Sequence, residues 1–319
     1  MRLGVNPEKN KGSQIKYKTH RIIIPVFIPE SDDEYYKNLF DVFKCSVNSL
    51  IKTTDKESTV ITIINNACKV EVTNYIDELY LSKAIDKHVK YIENLGKLYS
   101  VLSEVKGTFE ELITIADADV LYFSNWQSET IKVFNTFKNV GVVAPLPTPQ
   151  VAFYNNVTLF SNIFLKKKKG KVITNKSLNL FDQSVGNNIS ISNKKEWFAS
   201  QYFLEKDNLK VCIGAGHFVA SYKGDVLRKL PFKKPTDIFK KGYELEYIDK
   251  PIDVMGYYRV SLISTYVYHL GNTIPDWVKE HSFELLKSSN LKFKKRIYLN
   301  LPYYFRKTVY RVFKNIIYK

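Results

Sequence analysis

Cysteine, acidic charge towards the C-terminus and long apolar runs are what this chain has least of. Its three cysteines, Cys45, Cys68 and Cys212, are far apart and odd in number. That excludes a disulfide framework and suits a reducing compartment. No apolar stretch approaches the roughly 18 residues that span a bilayer. Residues 1–19 carry no signal-peptide core, so the expectation is a soluble, cytoplasmic chain. Without such a signal, the sequons at Asn156, Asn175 and Asn188 are expected to be chance occurrences in an Asn-rich sequence. After Glu284 there is no acidic residue, whereas Lys292, Lys294, Lys295, Arg296, Arg306, Lys307, Arg311, Lys314 and Lys319 all follow. A block of one sign seeks a polyanion, either nucleic acid or an acidic membrane surface.

What is present is enough apolar material for a full core: 319 residues, 45% hydrophobic, with a formal charge of +16. Residues 1–19 are polar and read as a flexible N-terminus. "RIIIPVFIP" (21–29) is an unbroken apolar run, the mark of a strand covered on both faces. Ser31 and Glu34 form a capping-box pattern ahead of Tyr36, Leu39, Phe40, Phe43, Val47, Leu50 and Ile51 at helical spacing. Further strands are expected at 59–65, 89–93, 111–117 and 140–145. Helices are expected over 73–87, after Gly96, and after Asn125. This alternation predicts an α/β fold with a mostly parallel sheet flanked by helices. In such sheets ligands bind beyond the carboxyl ends of the strands, where Asn65, Asn66, Asn94, Lys97, Asp117 and Asp119 fall. Residues 146–210 break the rhythm and read as a long insertion with partial structure. Order returns at 210–231, where glycines let backbone approach closely, and the last strand is expected within 264–272.

The segment "ITIADADVLYFSN" (113–125) places two carboxylates at the end of a buried run. Asp117 and Asp119, at i and i+2 on extended chain, can point to one side. Unpaired they repel; a hard divalent cation removes that conflict and could also grip a diphosphate. The competing reading makes Asp119 a turn cap and Asp117 a lysine partner.

From His20 to Asn272 the chain resembles a nucleotide-sugar glycosyltransferase of the GT-A, Rossmann-like fold, close to family 2. "IIIPVFIP", with Pro25 and Phe27, resembles that family's first strand beside the nucleotide base. "NLGK" (94–97) resembles its sugar-nucleotide loop, and "IADADVLY" its D-x-D motif. "GAGHFVASYKGDVLRKLP", with Gly216, resembles the turn and helix under the acceptor. "YIDKPIDVMGYYRVS…YVYHLGN" resembles its closing segment.

The resemblance implies Asp119 as main metal ligand, Asp117 on metal or ribose, and His269 as a third ligand. Mixed carboxylate and imidazole ligation suits Mn2+ somewhat better than Mg2+. It also implies a general base, but the family's adjacent Glu-Asp pair is missing. Glu244, Glu246, Asp249 and Asp253 stand there instead; Asp249 is the first choice and Asp253 the second. Asn65 and Asn66 replace an aspartate that usually follows the second strand, and amides can read a base edge. Lys97 and Arg259 could neutralise phosphate charge.

The expected activity is metal-dependent transfer of a sugar from a nucleoside-diphosphate sugar to a glycan or lipid-linked glycan acceptor, of lipopolysaccharide or capsule type, with inversion. The expected organisation is a glycosyltransferase domain over 20–285, containing the 146–210 insertion, and a basic helical tail over 286–319. In that tail Phe305, Val309, Phe313, Ile316 and Ile317 recur at helical spacing after Pro302. The tail could dock on the core or lie on an anionic membrane through 291–319, at the inner face of the cell membrane. No nucleic-acid reader signature is present. A pyrophosphorylase would need a glycine-rich loop after the first strand, which "PVFIPESDDEYY" lacks. The remaining alternative is a non-catalytic basic α/β module that binds nucleic acid or an anionic membrane.

Overall fold

In the computed structural model the structure describes residues 4–10, 17–186, 194–232, 242–279, 292–293 and 301–317. Twelve strands occur among them: β1 (His20–Val26), β2 (Thr59–Asn66), β3 (Lys87–Tyr91), β4 (Leu112–Ala116), β5 (Val120–Tyr122), β6 (Val140–Ala144), β7 (Lys168–Gly170), β8 (Gln201–Lys206), β9 (Leu209–Ile213), β10 (Val219–Lys223), β11 (Tyr258–Ser261) and β12 (Val267–His269). Ten form one sheet in the order β3-β2-β1-β4-β10-β6-β11-β9-β8-β7, and β12 pairs with β5 in a second, two-stranded sheet. Pairing is parallel through β3-β2-β1-β4 and between β6 and β11, and antiparallel elsewhere. Seven strands of the large sheet therefore run one way, and β7, β9 and β10 run the other. The α/β class expected from the sequence is what the chain adopts.

The helices are α1 (Leu39–Thr53), α2 (Val70–Leu81), α3 (Lys97–Lys106), α4 (Trp126–Thr136), α5 (Val157–Ser161), α6 (Asn175–Ser184), α7 (Lys194–Ala199), α8 (Gly224–Arg228), α9 (Lys250–Val254), α10 (Asp276–Lys279) and α11 (Tyr303–Ile317). None of the described helices is long and apolar enough to cross a membrane. The expected run in α1 buries Val42, Phe43, Val47 and Leu50 and packs on β5, while Ile22, Ile23 and Ile24 of β1 are fully covered. Each such side chain contributes roughly 1.5–3 kcal/mol on leaving water.

Several boundaries moved for identifiable reasons. The Ser31/Glu34 pattern does not open α1. Asp33 Oδ1 instead accepts from Tyr35 N at 2.8 Å, which caps a short 3₁₀ turn at Glu34–Tyr36. Helix α2 starts before residue 73 and ends at Leu81, with Tyr80 outside the core. Asn125 precedes α4 in the left-handed region and makes no side-chain cap. The 146–210 segment is not set apart from the sheet: β7, β8 and β9 extend it by an antiparallel meander. Its tight turn uses Asp207 and Asn208, both at positive φ, the turn type that matches strand twist.

One polar network is buried under the parallel strands. Gln127 Oε1 accepts from Asp55 N at 3.0 Å, which aims Gln127 Nε2 at His20 Nδ1 (2.7 Å) and Thr59 Oγ1 (2.7 Å). His20 Nδ1 must then accept, so Nε2 carries the proton and donates to Thr114 Oγ1 at 2.7 Å. Burial holds this imidazole neutral, with a pKa lowered to about 3.

Helix α11 packs on α5 and bonds the end of α9, with Arg306 turned inward and Val309 half-buried. Arg306 is buried; its Nη2 donates to Val254 O (2.8 Å), its Nε to Leu301 O (2.8 Å), and its Nη1 bonds Thr158 Oγ1. Tyr310 approaches Phe160 with ring centroids 6.3 Å apart. Phe305 and Val312 face outward. The Phe313, Ile316 and Ile317 side chains, and Lys294, Lys295 and Arg296, lie outside the described residues.

Candidate active site

Strand β4 is buried throughout its length, and the chain leaves it in a turn at residues 117–119 before re-entering as β5. Asp117 and Asp119 therefore project from a turn between two strands rather than from extended chain. The turn is fixed from two sides. Asp117 N donates to Phe218 O at 2.7 Å, and Leu270 N donates to Asp119 O at 2.8 Å. His269 lies opposite Val120 in the β12–β5 ladder, so backbone register brings it to Asp119.

The result is a cluster in which one ligand atom from each of Asp117, Asp119 and His269 lies within 4.8 Å of the others. His269 Nδ1 faces the carbonyl of Ser184 at 3.2 Å. A carbonyl only accepts, so Nδ1 carries the proton and the Nε2 lone pair turns to Asp119 Oδ2, 3.2 Å away. Two acceptors face each other there, and either a second ring proton or a cation between them resolves the conflict. Asp119 Oδ1 is buried with no hydrogen-bond partner among the described residues. Burial raises the Asp119 pKa; His269 opposes the rise and Asp117 adds to it. An orphaned carboxylate oxygen, an oriented imidazole and a second carboxylate fit a divalent cation.

Around this cluster a cavity of ≈ 460 Å³ is lined by Phe27, Tyr35, Leu39, Asp117, Asp119, His269 and neighbours. The Tyr35 hydroxyl is pushed above its ordinary value by burial and then by the Asp119 charge. Lys97, from the first turn of α3, pairs with Asp117 and lies 3.6 Å from Glu244. Burial works against the Lys97 charge, but the two carboxylates outweigh it and raise its pKa.

Other expected residues fall elsewhere. Pro25 is buried within β1, opposite Ile64, and does not line the cavity. Asn65 is turned to the fold: Nδ2 donates to Thr73 Oγ1 and Oδ1 accepts from Cys68 N, each at 2.8 Å. This corrects its expected role as a base reader, because the amide closes the turn into α2. Asn66 and Asn94 hold each other at 2.7 Å, and their oxygens accept from Leu95 N and Gly96 N. They shape the loop that delivers Lys97.

Both candidate bases are corrected as groups that would meet an acceptor directly. Asp253 accepts from Val157 N (2.9 Å) and Thr158 N (2.8 Å); it caps α5 with both oxygens used. Asp249 is fully buried, with Oδ2 at 2.8 Å from Arg259 Nη2 and 3.3 Å from His217 Nδ1. Arg259 is consumed in the same way: it also donates to Tyr154 O (3.0 Å) and Ala215 O (2.7 Å), so it is not free for phosphate.

Gly216 belongs to the turn between β9 and β10 and packs on Thr148. In that turn Gly214 has φ +116°, and a Cβ there would lie 2.7 Å from Thr148 O, so only glycine fits. The sequence reading passed over His217. Its signal was an imidazole placed directly after this small-residue turn.

No family model and no curated protein matches this chain. Among solved structures it is similar to the mannosyltransferase PcManGT from Pyrobaculum calidifontis in complex with GDP-Man and Mn2+ (13% identity, 82% of this chain and 56% of that one, TM-score 0.44). It is also similar to S. aureus TarS 1–349 (10%, 78% and 60%, 0.45) and to GalNAc-T7 with UDP, GalNAc and Mn2+ (11%, 80% and 44%, 0.48). The chain thus spans 44–60% of their lengths. Likenesses of this size, all with TM-scores under 0.5, say nothing about what this chain binds or transfers.

Proposed function

We propose that the chain is a metal-dependent glycosyltransferase that moves one sugar from a nucleoside-diphosphate donor onto a surface-glycan acceptor of lipopolysaccharide or capsule type, with inversion. The observation that carries this reading is the convergence of Asp117, Asp119 and His269 on an orphaned carboxylate oxygen, at the mouth of a cavity sized for part of a nucleotide. Asp119 through Oδ1, His269 through Nε2, and Asp117 would hold manganese or magnesium. Bound there, the cation supplies positive charge against a departing diphosphate. Lys97 adds a fixed ammonium at the same place, and the Asn66–Asn94 pair keeps its loop in position. Phe27 and Tyr35 offer ring surface on which a base could lie.

Calorimetry with UDP and GDP, with and without manganese, tests the proposal. Binding that requires the metal and disappears with EDTA is expected; binding indifferent to metal, or none, sinks it. In the second case the basic binding module becomes the better reading.

Membrane attachment is the finer part of the proposal. Phe305 and Val312 are exposed on α11 beside exposed Arg311 and Lys314, a pattern that suits an anionic surface carrying a lipid-linked acceptor. Flotation on phosphatidylglycerol vesicles at low salt should carry the full chain upward, and Phe305→Ser with Val312→Ser should weaken it. A chain that stays at the bottom ends this part alone.

A further inference from the structure

We infer that His217, oriented by Asp249, is the group that takes the proton from the acceptor hydroxyl, so that the base of this enzyme is an imidazole and not a carboxylate. The inference rests on the transferase reading above and adds a residue to it.

Geometry disfavours three of the four candidate carboxylates and favours an imidazole. Asp249 is fully buried and can touch no acceptor. Asp253 has both oxygens on the backbone of α5. Glu244 is held below the usual carboxylate range: burial opposes its charge, but Lys97 and then His217 favour it. Glu244 also faces Lys97 Nζ at 3.6 Å. His217 is open to solvent over 44% of its side chain, with Nδ1 at 3.3 Å from Asp249 Oδ2. A carboxylate oxygen only accepts, so Nδ1 carries the ring proton and the Nε2 lone pair faces outward. Arg259, at 2.8 Å from the same oxygen, holds the Asp249 carboxylate in place. A buried carboxylate that fixes the tautomer of an exposed imidazole is the arrangement general-base catalysis needs.

The position is also right. The residue after His217, Phe218, binds Asp117 N through its carbonyl at 2.7 Å, and its ring meets the His269 ring at 5.1 Å. Two charged chains meet in this region, Asp117–Lys97–Glu244 and His217–Asp249–Arg259. Gly214 and Gly216, held against Thr148, set the turn that presents the imidazole.

In the step, Nε2 takes the hydroxyl proton as the acceptor oxygen bonds to the anomeric carbon. The bond from that carbon to the diphosphate oxygen breaks, and its electron pair leaves with the nucleoside diphosphate. The imidazolium then loses its proton to solvent. Asp249 is a positioning residue and His217 the catalytic one.

Two measurements test this on the full chain. Nitrogen NMR of histidine-labelled protein should show His217 protonated at Nδ1 and bare at Nε2 near neutral pH, and Asp249→Asn should shift that balance. The opposite tautomer in the wild type overturns the assignment without any turnover. With a panel of UDP- and GDP-sugars, manganese and p-nitrophenyl glycosides as acceptors, His217→Gln should lower kcat by roughly 10²–10⁴-fold. Donor KM should stay within about threefold. A variant that keeps kcat within tenfold of wild type refutes the role. Loss of manganese-dependent nucleotide binding in the wild type is a different result and counts against the transferase reading.

Discussion

Two pairs of aspartates occupy opposite situations in this molecule. Asp249, just before α9, and Asp253, within it, have donors on hand: a guanidinium and an imidazole at Asp249 Oδ2, whose Oδ1 has no partner among the described residues, and two helix-start amides for Asp253. Asp117 and Asp119, in the turn after β4, have one lysine, one histidine whose lone pair points the wrong way, and a buried oxygen with nothing to accept from. The first pair holds the chain together. The second gathers two carboxylates and an imidazole lone pair at one place with a single lysine beside them, a surplus of acceptors that a cation would offset.

The comparison breaks most directly at Asp119. Asp119→Asn should weaken manganese-dependent nucleotide binding by at least about 100-fold. The thermal midpoint should hold or rise, because a repulsive buried charge is removed. Calorimetry and melting curves measure both, and unchanged affinity would erase the distinction between the pairs.

Asp253→Ala should do the reverse. It uncaps α5 and leaves the Arg306 charge buried beside the bare amides, a loss of about 3 kcal/mol in urea unfolding, while the folded fraction binds nucleotide as before. Arg306→Met in the same background should cost less than it does alone, since the two share Thr158 and α9. Strict additivity argues against that coupling.

A neutral buried group sharpens the contrast. His20 has a folded pKa near 3 against 6.5 when exposed, so the unfolded chain takes up a proton first. Its contribution is complete above pH 6.5 and is lost as pH falls towards 3, by about 2 kcal/mol at pH 5. Urea midpoints between pH 7.5 and pH 5 should fall with that slope, and His20→Gln should flatten it. The smallest effect is expected at the surface: Phe305→Ser with Val312→Ser should change stability by less than about 0.5 kcal/mol.

What could be read beforehand follows from range. Strands β1, β2, β4 and β6 are continuous apolar runs, and the Asp117–Asp119 turn sits where β4 must end; both are local signals. Asp249 and Asp253 looked alike in the sequence because their difference lies in partners more than 90 residues off in the case of Asp253, and in a strand and a turn on either side in the case of Asp249. The burial of Arg306 on α11 was not legible for a related reason. Apolar periodicity ranks Phe305 above Arg306, but a guanidinium that finds three carbonyls and a hydroxyl can be buried more favourably than an unmatched ring.

The three-rung ladder between β5 and β12 has a consequence for how this protein comes into being. It clamps together two stretches about 150 positions apart, and sliding it by one rung would turn the imidazole to the opposite side. A chain emerging from the ribosome carries its aspartates long before its histidine. Until the residues of β12 have been made and zipped alongside, the three groups proposed to hold a cation cannot meet.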